Sequence, residues 1–102
     1  MKPNSFDYLK VLSSEEALTG LAQGGDEARI IAGGLSLVPI LNFRLAEPQM
    51  LIDISGAKTL NYIRETGGKV EIGASTRQCQ LENWSDLESR LPMLKAAFPF
   101  IG

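Results

Sequence analysis

The chain has 102 residues, 44% hydrophobic and 22% charged, the balance of a globular domain rather than of a disordered or collagen-like chain. Ten Lys and Arg against twelve Asp and Glu give a net charge of −2, and the basic residues are scattered singly from Lys2 to Lys95, which excludes a nucleic-acid footprint. Histidine is absent and Cys79 is the only cysteine. Ser-His and Cys-His catalysis, histidine-ligated metals and an internal disulfide framework are therefore excluded within these residues.

A chain of this length buries about two-thirds of the surface its unfolded form exposes, enough for one modest core. The opening "MKPNSFDYLKV" lacks the apolar stretch of an export signal, and no run approaches the roughly 18 apolar residues of a membrane span. With a lone cysteine, this points to a reducing, cytoplasmic setting.

In chain order, Phe6, Tyr8 and Lys10 alternate with Asp7 and Leu9 as a short strand. "SSEEALTGLAQGG" reads as a helix: Ser13 and Glu16 fit a capping box, Ala17, Leu18, Leu21 and Ala22 recur at helical spacing, and Gly24-Gly25 stops it. "ARIIAGG" predicts a short buried strand, followed by a helix over about Leu37 to Arg44 with Ser36 as cap and Pro39 in the first turn. "MLIDI" predicts a strand covered on both faces. Tyr62, Arg64, Val70 and Ile72 flank Gly67-Gly68 as a hairpin. Ser85 and Glu88 suggest a capping box for a short helix ending before Pro92, and "PMLKAAF" a last helix. The order β, α, β, α, β, hairpin, α is α/β or α+β in class.

The paired glycines between the second strand and the second helix raise the functional question. Glycine permits close approach of an anion and the backbone angles that aim successive N–H groups at it. It equally serves a plain turn. The pattern is neither the Rossmann fingerprint, since Gly33 and Gly34 are adjacent with no third glycine at the required spacing, nor a P-loop, since no Gly-Lys-Ser or Gly-Lys-Thr occurs.

The stretches "FDYLKVLSSEEALTGLAQ", "ARIIAGGLSLVPILNFRLAEPQMLIDIS", "LNYIRETGGKVEIGASTRQ" and "LPMLKAAFPFIG" resemble, in order and spacing, the amino-terminal part of the FAD-binding medium subunits of molybdenum hydroxylases of the carbon-monoxide dehydrogenase and xanthine dehydrogenase type. The most specific piece is the glycine pair with Ser36, Leu37 and Pro39, then Arg-Leu-Ala-x-Pro and Leu-Ile-Asp-Ile. The resemblance implies an FAD-binding PCMH or vanillyl-alcohol-oxidase-type domain, with residues 1–56 as a first βαβαβ subdomain and 57–102 as the start of a second, the domain continuing past Gly102 to another Gly-Gly loop. It also implies that Ile31, Ala32, Gly33, Gly34, Leu35, Ser36 and Leu37 wrap the FAD diphosphate and that Ile101 lies beside the isoalloxazine ring. Leu35 departs from the polar residue common in relatives, at a contact made largely by backbone. No catalytic residue or metal ligand is expected on this chain. A molybdenum cofactor is expected on a large partner subunit and iron–sulfur clusters on a small one, with this subunit passing electrons to an external acceptor. The alternative is an α/β module that only packs against partner subunits, without flavin.

Other residues read as structural. Asp53, in an apolar strand, is expected to make a structural hydrogen bond, and Cys79, far in sequence from any activating base, to be inert. Thr76 and Arg77 are expected in a solvated loop, with a reach to cofactor or partner as the alternative. Trp84, with Leu87 and Leu91, reads as a core anchor.

Overall fold

The computed structural model describes residues 2–101. Met1 and Gly102, the outermost residues of the predicted domain span, lie outside the described residues. Strand β1 (Asp7–Lys10) leads into helix α1 (Ser14–Gly24), where Ser13 accepts a hydrogen bond from the Glu16 N–H at 3.1 Å. Glu16 reaches back to the N–H of Leu12, at 3.0 Å, one residue earlier than the predicted box requires. Gly25 ends the helix with φ +56, a left-handed conformation that glycine adopts without penalty.

The sheet-facing stripe of α1 differs from the predicted one. Ala17 and Gly20 are buried and Leu21 is half-buried, whereas Leu18 is 65% exposed and Ala22 is also outside. The helix lies close to the sheet because Gly20 has no side chain: a Cβ there would stand 3.0 Å from Ile52 and 3.3 Å from Leu9.

Strand β2 (Ala28–Ile31), helix α2 (Leu37–Asn42) and strand β3 (Met50–Asp53) complete a three-stranded parallel sheet in the order β1-β3-β2. β3 is central, and Leu51 and Ile52 are 2% and 0% exposed, as its apolar run predicts. β2 is instead an edge strand. Its Ile30 is 37% exposed, so the predicted burial holds only for Ala28 and part of Ile31. Val11, Ala17, Ala28, Ile52 and Ile54 form the core.

The second sheet is a hairpin of β4 (Ile63–Thr66) and β5 (Lys69–Ile72), in register Ile63↔Ile72 to Thr66↔Lys69. Gly67 and Gly68 both take positive φ, +58 and +77, which twists the turn to match the strands. Arg64 pairs with Glu71 at 2.8 Å and stacks over Tyr62, and Arg90 ties the hairpin to the next segment through Glu65 at 2.9 Å.

Three short helices follow: α3 (Gln78–Glu82), α4 (Leu87–Arg90) and α5 (Pro92–Ala97), with a final 3-10 turn over Phe98–Phe100. α4 begins after Asp86, and no side chain caps it, so the predicted Ser85 cap is not formed. α3 was not anticipated. Leu81 is its only buried residue, too little apolar periodicity to signal a helix.

Candidate flavin diphosphate cleft

The two glycines of the pair do different jobs. Gly34 has φ +83, and a Cβ there would fall 2.9 Å from Val38 and 3.3 Å from Ile31, so both backbone and packing require glycine. Gly33 has no such φ, and a Cβ on it would meet nothing within 4 Å. The fold itself does not demand glycine at 33. The open space in front of it is a cradle that a side chain would fill.

Beyond Gly33 the backbone enters α2 without using its donors. Among the described residues the N–H groups of Gly33, Gly34, Leu35, Ser36 and Leu37 have no acceptor, while Val38 donates to the Gly34 carbonyl at 2.9 Å. Ser36 stands at the cap position with φ −95 and ψ −40, and its hydroxyl makes no capping bond, contrary to the sequence expectation. A run of free N–H groups around a glycine turn is able to receive an anion. α2 has only six residues, so the N–H groups rather than its dipole dominate. Its far end closes through Arg44, a non-glycine residue at φ 57, with Leu45 donating to the Ile40 carbonyl at 3.0 Å.

Ala32, Gly33 and Leu35 form one wall of a cleft of about 450 Å³. The facing wall is polar: Ser55, Asn61, Ser75, Thr76, Arg77 and Gln78. Of the residues predicted to wrap a diphosphate, Ile31, Gly34, Ser36 and Leu37 flank this cleft without lining it. Ile101, 46% exposed after the final 3-10 turn, is not among its lining residues.

Thr76 and Arg77 lie in a loop as expected, Arg77 exposed and Thr76 half-buried, and that loop also lines the cleft opposite Gly33. Their loop is firmly held. Thr76 accepts from the Tyr62 N–H at 3.1 Å and donates to the Tyr62 carbonyl at 3.0 Å, Ser75 donates to the Ala57 carbonyl at 3.2 Å, and the Asn61 and Gln80 amides bond reciprocally at 3.2 and 3.1 Å. Gly73 makes this approach possible: a Cβ there would lie 2.0 Å from the Leu60 carbonyl oxygen. The sequence signal for this wall is "GASTRQ", hydroxyls clustered after a strand-ending glycine. A second, more open depression of about 480 Å³ beside α1 carries Glu15 and Glu16 and no cation, which suits no phosphate.

Asp53 is the last residue of β3. It accepts from the Tyr8 hydroxyl and, at 2.9 Å, from the N–H of Ser55, the structural role expected of it. Burial works to raise its pKa, but the bonds from Tyr8 and Ser55 and the charge of Lys10 outweigh it and hold the carboxyl below the usual carboxylate value. Tyr8 is pushed up by its bond to Asp53, then by desolvation and the Asp53 charge. A depressed carboxyl stabilises the fold fully above its unfolded pKa, and that contribution is lost as pH falls through the folded value. Asp53→Asn is expected to lower Tm by about 4–8 °C at neutral pH, the shift for about 1 kcal/mol in a domain of this size, and to flatten the acid limb of stability against pH. Melting curves from neutral pH downward check both; an unchanged acid limb contradicts the assignment.

Cys79 is exposed and free, and no cluster of potential metal ligands exists among the described residues. No helix among them is long and apolar enough to cross a membrane.

With this geometry in view, the comparisons with known proteins are specific. Residues 4–102 match the family described as the FAD binding domain in molybdopterin dehydrogenase. The chain is 48% identical over 101 residues to the 6-hydroxypseudooxynicotine dehydrogenase complex subunit alpha of Paenarthrobacter nicotinovorans, covering 99% of this chain and 34% of that protein. It is 41% identical over 101 residues to the carbon monoxide dehydrogenase medium chain of Hydrogenophaga pseudoflava, covering 99% and 35%. Its fold superposes on the solved carbon monoxide dehydrogenase from Hydrogenophaga pseudoflava lacking the Mo-pyranopterin moiety with a TM-score of 0.87 at 41% identity, over 95% of this chain and 34% of that one. The chain thus spans about a third of the length of the curated relatives it matches. An α/β fold with an open glycine cradle, a matching family model and a superposable relative agree: the chain belongs to the family of FAD-binding domains of molybdopterin dehydrogenases.

Proposed function

We propose that the protein is the flavin-holding part of an electron-transferring subunit of a molybdenum hydroxylase, and that the cleft between Gly33 and the Ser75–Gln78 loop holds the FAD diphosphate. The observation that carries this reading is the open space at Gly33, a glycine the fold does not require, beside five unpaired N–H groups. It also speaks against the packing-only alternative, which leaves that space without a use. Ala32, Gly33 and Leu35 offer the wall along which the diphosphate lies, and the N–H groups through Leu37 receive its oxygens. Ile31 and Gly34 shape the turn. Ile101 is assigned to the ring end of the flavin on the family resemblance. When bound, FAD supplies reversible one- and two-electron redox chemistry. This chain's residues bind and orient it and perform no substrate chemistry.

Residues 1–56 and 57–102 form two subdomains in this reading, supported by the separation of the parallel sheet from the hairpin. The assembly includes a large molybdenum-cofactor subunit and a small iron–sulfur subunit, it is cytoplasmic, and it oxidises or hydroxylates a small molecule chosen on the large subunit. Support comes from relatives that are named as dehydrogenase subunits or medium chains.

The protein purified from its host is expected to be yellow, with one flavin per chain by absorbance, and a colourless preparation that takes up no FAD contradicts the reading. One glycine loop supplies only part of a diphosphate cradle. Residues 1–102 expressed alone are therefore expected to bind FAD with a dissociation constant above about 1 μM, about 8 kcal/mol of binding free energy. Tighter binding in a fluorescence titration shows that the single loop suffices.

A further inference from the structure

We propose that Arg77 is the cationic partner of the flavin diphosphate, so that the cleft selects phosphorylated flavin by an ion pair across from Gly33 as well as by backbone N–H groups. This rests on the reading of the cleft as the diphosphate site. The five arginines are unequal in their commitments. Arg64 and Arg90 pair with Glu71 and Glu65, Arg29 donates to the backbone carbonyls of Asp26 and Ala28, and Arg44, without an ion pair among the described residues, follows α2 outside the cleft lining. The Arg77 guanidinium pairs with no carboxylate among the described residues, yet its backbone is pinned. Its N–H donates to Gln80 Oε1 at 2.9 Å, and its carbonyl accepts from the N–H groups of Gln80 and Leu81 at 3.1 and 3.3 Å.

Among the described residues the cleft it lines contains no acidic side chain, and Arg77 carries the one formal charge on its walls. A diphosphate brings negative charge to a space bounded otherwise by neutral hydroxyls, amides and N–H dipoles. A planar guanidinium offers several donors in a fork that matches phosphate oxygens, which an ammonium does not. The anchored backbone and uncommitted head group place that fork opposite the glycine wall.

The test uses the protein made in its natural host from the chromosomal locus, stripped of flavin and titrated with FAD and, separately, with riboflavin. At about 0.01 M ionic strength, where charges act over about 30 Å, Arg77→Gln is expected to weaken FAD binding about three- to tenfold. At about 1 M, with a screening length of about 3 Å, the difference should vanish. Riboflavin, which has no phosphate, should bind both proteins alike, and Arg77→Lys, which keeps the charge but not the fork, should recover only part of the low-salt affinity. Unchanged FAD affinity and salt dependence in Arg77→Gln overturns the proposal, as does equal weakening for riboflavin, which would mean that Arg77 acts through the fold. Wild-type protein that takes up no FAD brings down the reading of the cleft itself, and this proposal with it.

Discussion

Gly33→Val is expected to deplete the protein of flavin while leaving its fold intact. Position 33 has no left-handed φ, and a Cβ there meets nothing within 4 Å, so neither backbone nor neighbours require glycine. Replacing glycine where the native φ suits other residues tends to stabilise, by about 0.4–1 kcal/mol for alanine, because the unfolded chain loses freedom. The two methyls of valine instead occupy the space assigned to a phosphate oxygen and hold it away from the free N–H groups. Affinity for FAD is expected to fall by at least about a hundredfold, close to 3 kcal/mol. Gly34→Val is the informative contrast, because its φ of +83 and its contact with Val38 make the same change costly to the fold. Flavin content and Tm measured on both variants separate the roles. Gly33→Val with full flavin occupancy contradicts the cleft assignment, and Gly33→Val with a collapsed Tm contradicts the claim that the fold tolerates a side chain there.

Gly73→Ala is expected to be the most damaging single methyl in the chain. The added carbon would stand 2.0 Å from the Leu60 oxygen and 2.6 Å from its carbonyl carbon, and backbone cannot swing aside as a side-chain tip can. Gly73 donates to the Tyr62 carbonyl at 2.9 Å, and Ser75 donates to that of Leu60 at 3.0 Å, so making room breaks the joint that holds the second wall of the cleft. Overpacking of this kind costs about 3 kcal/mol or more, which lowers Tm by about 12–24 °C in a domain of this size. FAD affinity should fall as well, since Thr76 and Arg77 follow on the displaced loop. At Gly67 a Cβ meets nothing, and only the positive φ is strained, so Gly67→Ala is expected to cost about 1 kcal/mol. Thermal melts followed by circular dichroism compare the two. A Gly73→Ala loss no larger than that of Gly67→Ala contradicts the account of the joint.

What the sequence discloses here is mostly local. The Ser13 cap, the Gly25 stop and the Gly67-Gly68 turn each depend on residues a few positions apart, and all three form. The central strand was legible because burial on both faces of β3 leaves an unbroken apolar run. The edge position of β2 was not, because a parallel order of β1-β3-β2 is set by crossovers that leave no trace in a four-residue strand. α3 was illegible for a related reason. Its start depends on Gln80, whose side chain accepts from the Arg77 N–H and bonds Asn61, nineteen residues earlier in the chain.

The candidate site divides the same way. The glycine wall is visible as Ala32-Gly33-Gly34, although only the structure shows that Gly34 serves the turn and Gly33 the open space. The hydroxyl wall is visible only as a polar loop. Nothing in "STRQ" says which surface it faces until Gly73 lets it close on Leu60 and the loop comes to stand opposite Gly33. Apolar surface is left uncovered around the chain, with Leu35 of the glycine loop at 80% exposure and Phe100 of the last turn at 89%.

The central claim is that the run of free N–H groups from Gly33 to Leu37 receives the flavin diphosphate. The most direct measurement is the set of distances from the diphosphate oxygens to those five backbone nitrogens in a crystal structure of the native protein with FAD bound. The account predicts oxygens at hydrogen-bond range, about 2.7–3.2 Å, from at least two of these nitrogens, with the diphosphate passing directly over the Cα of Gly33. A diphosphate seated elsewhere, with every one of these nitrogens beyond about 4 Å, contradicts it.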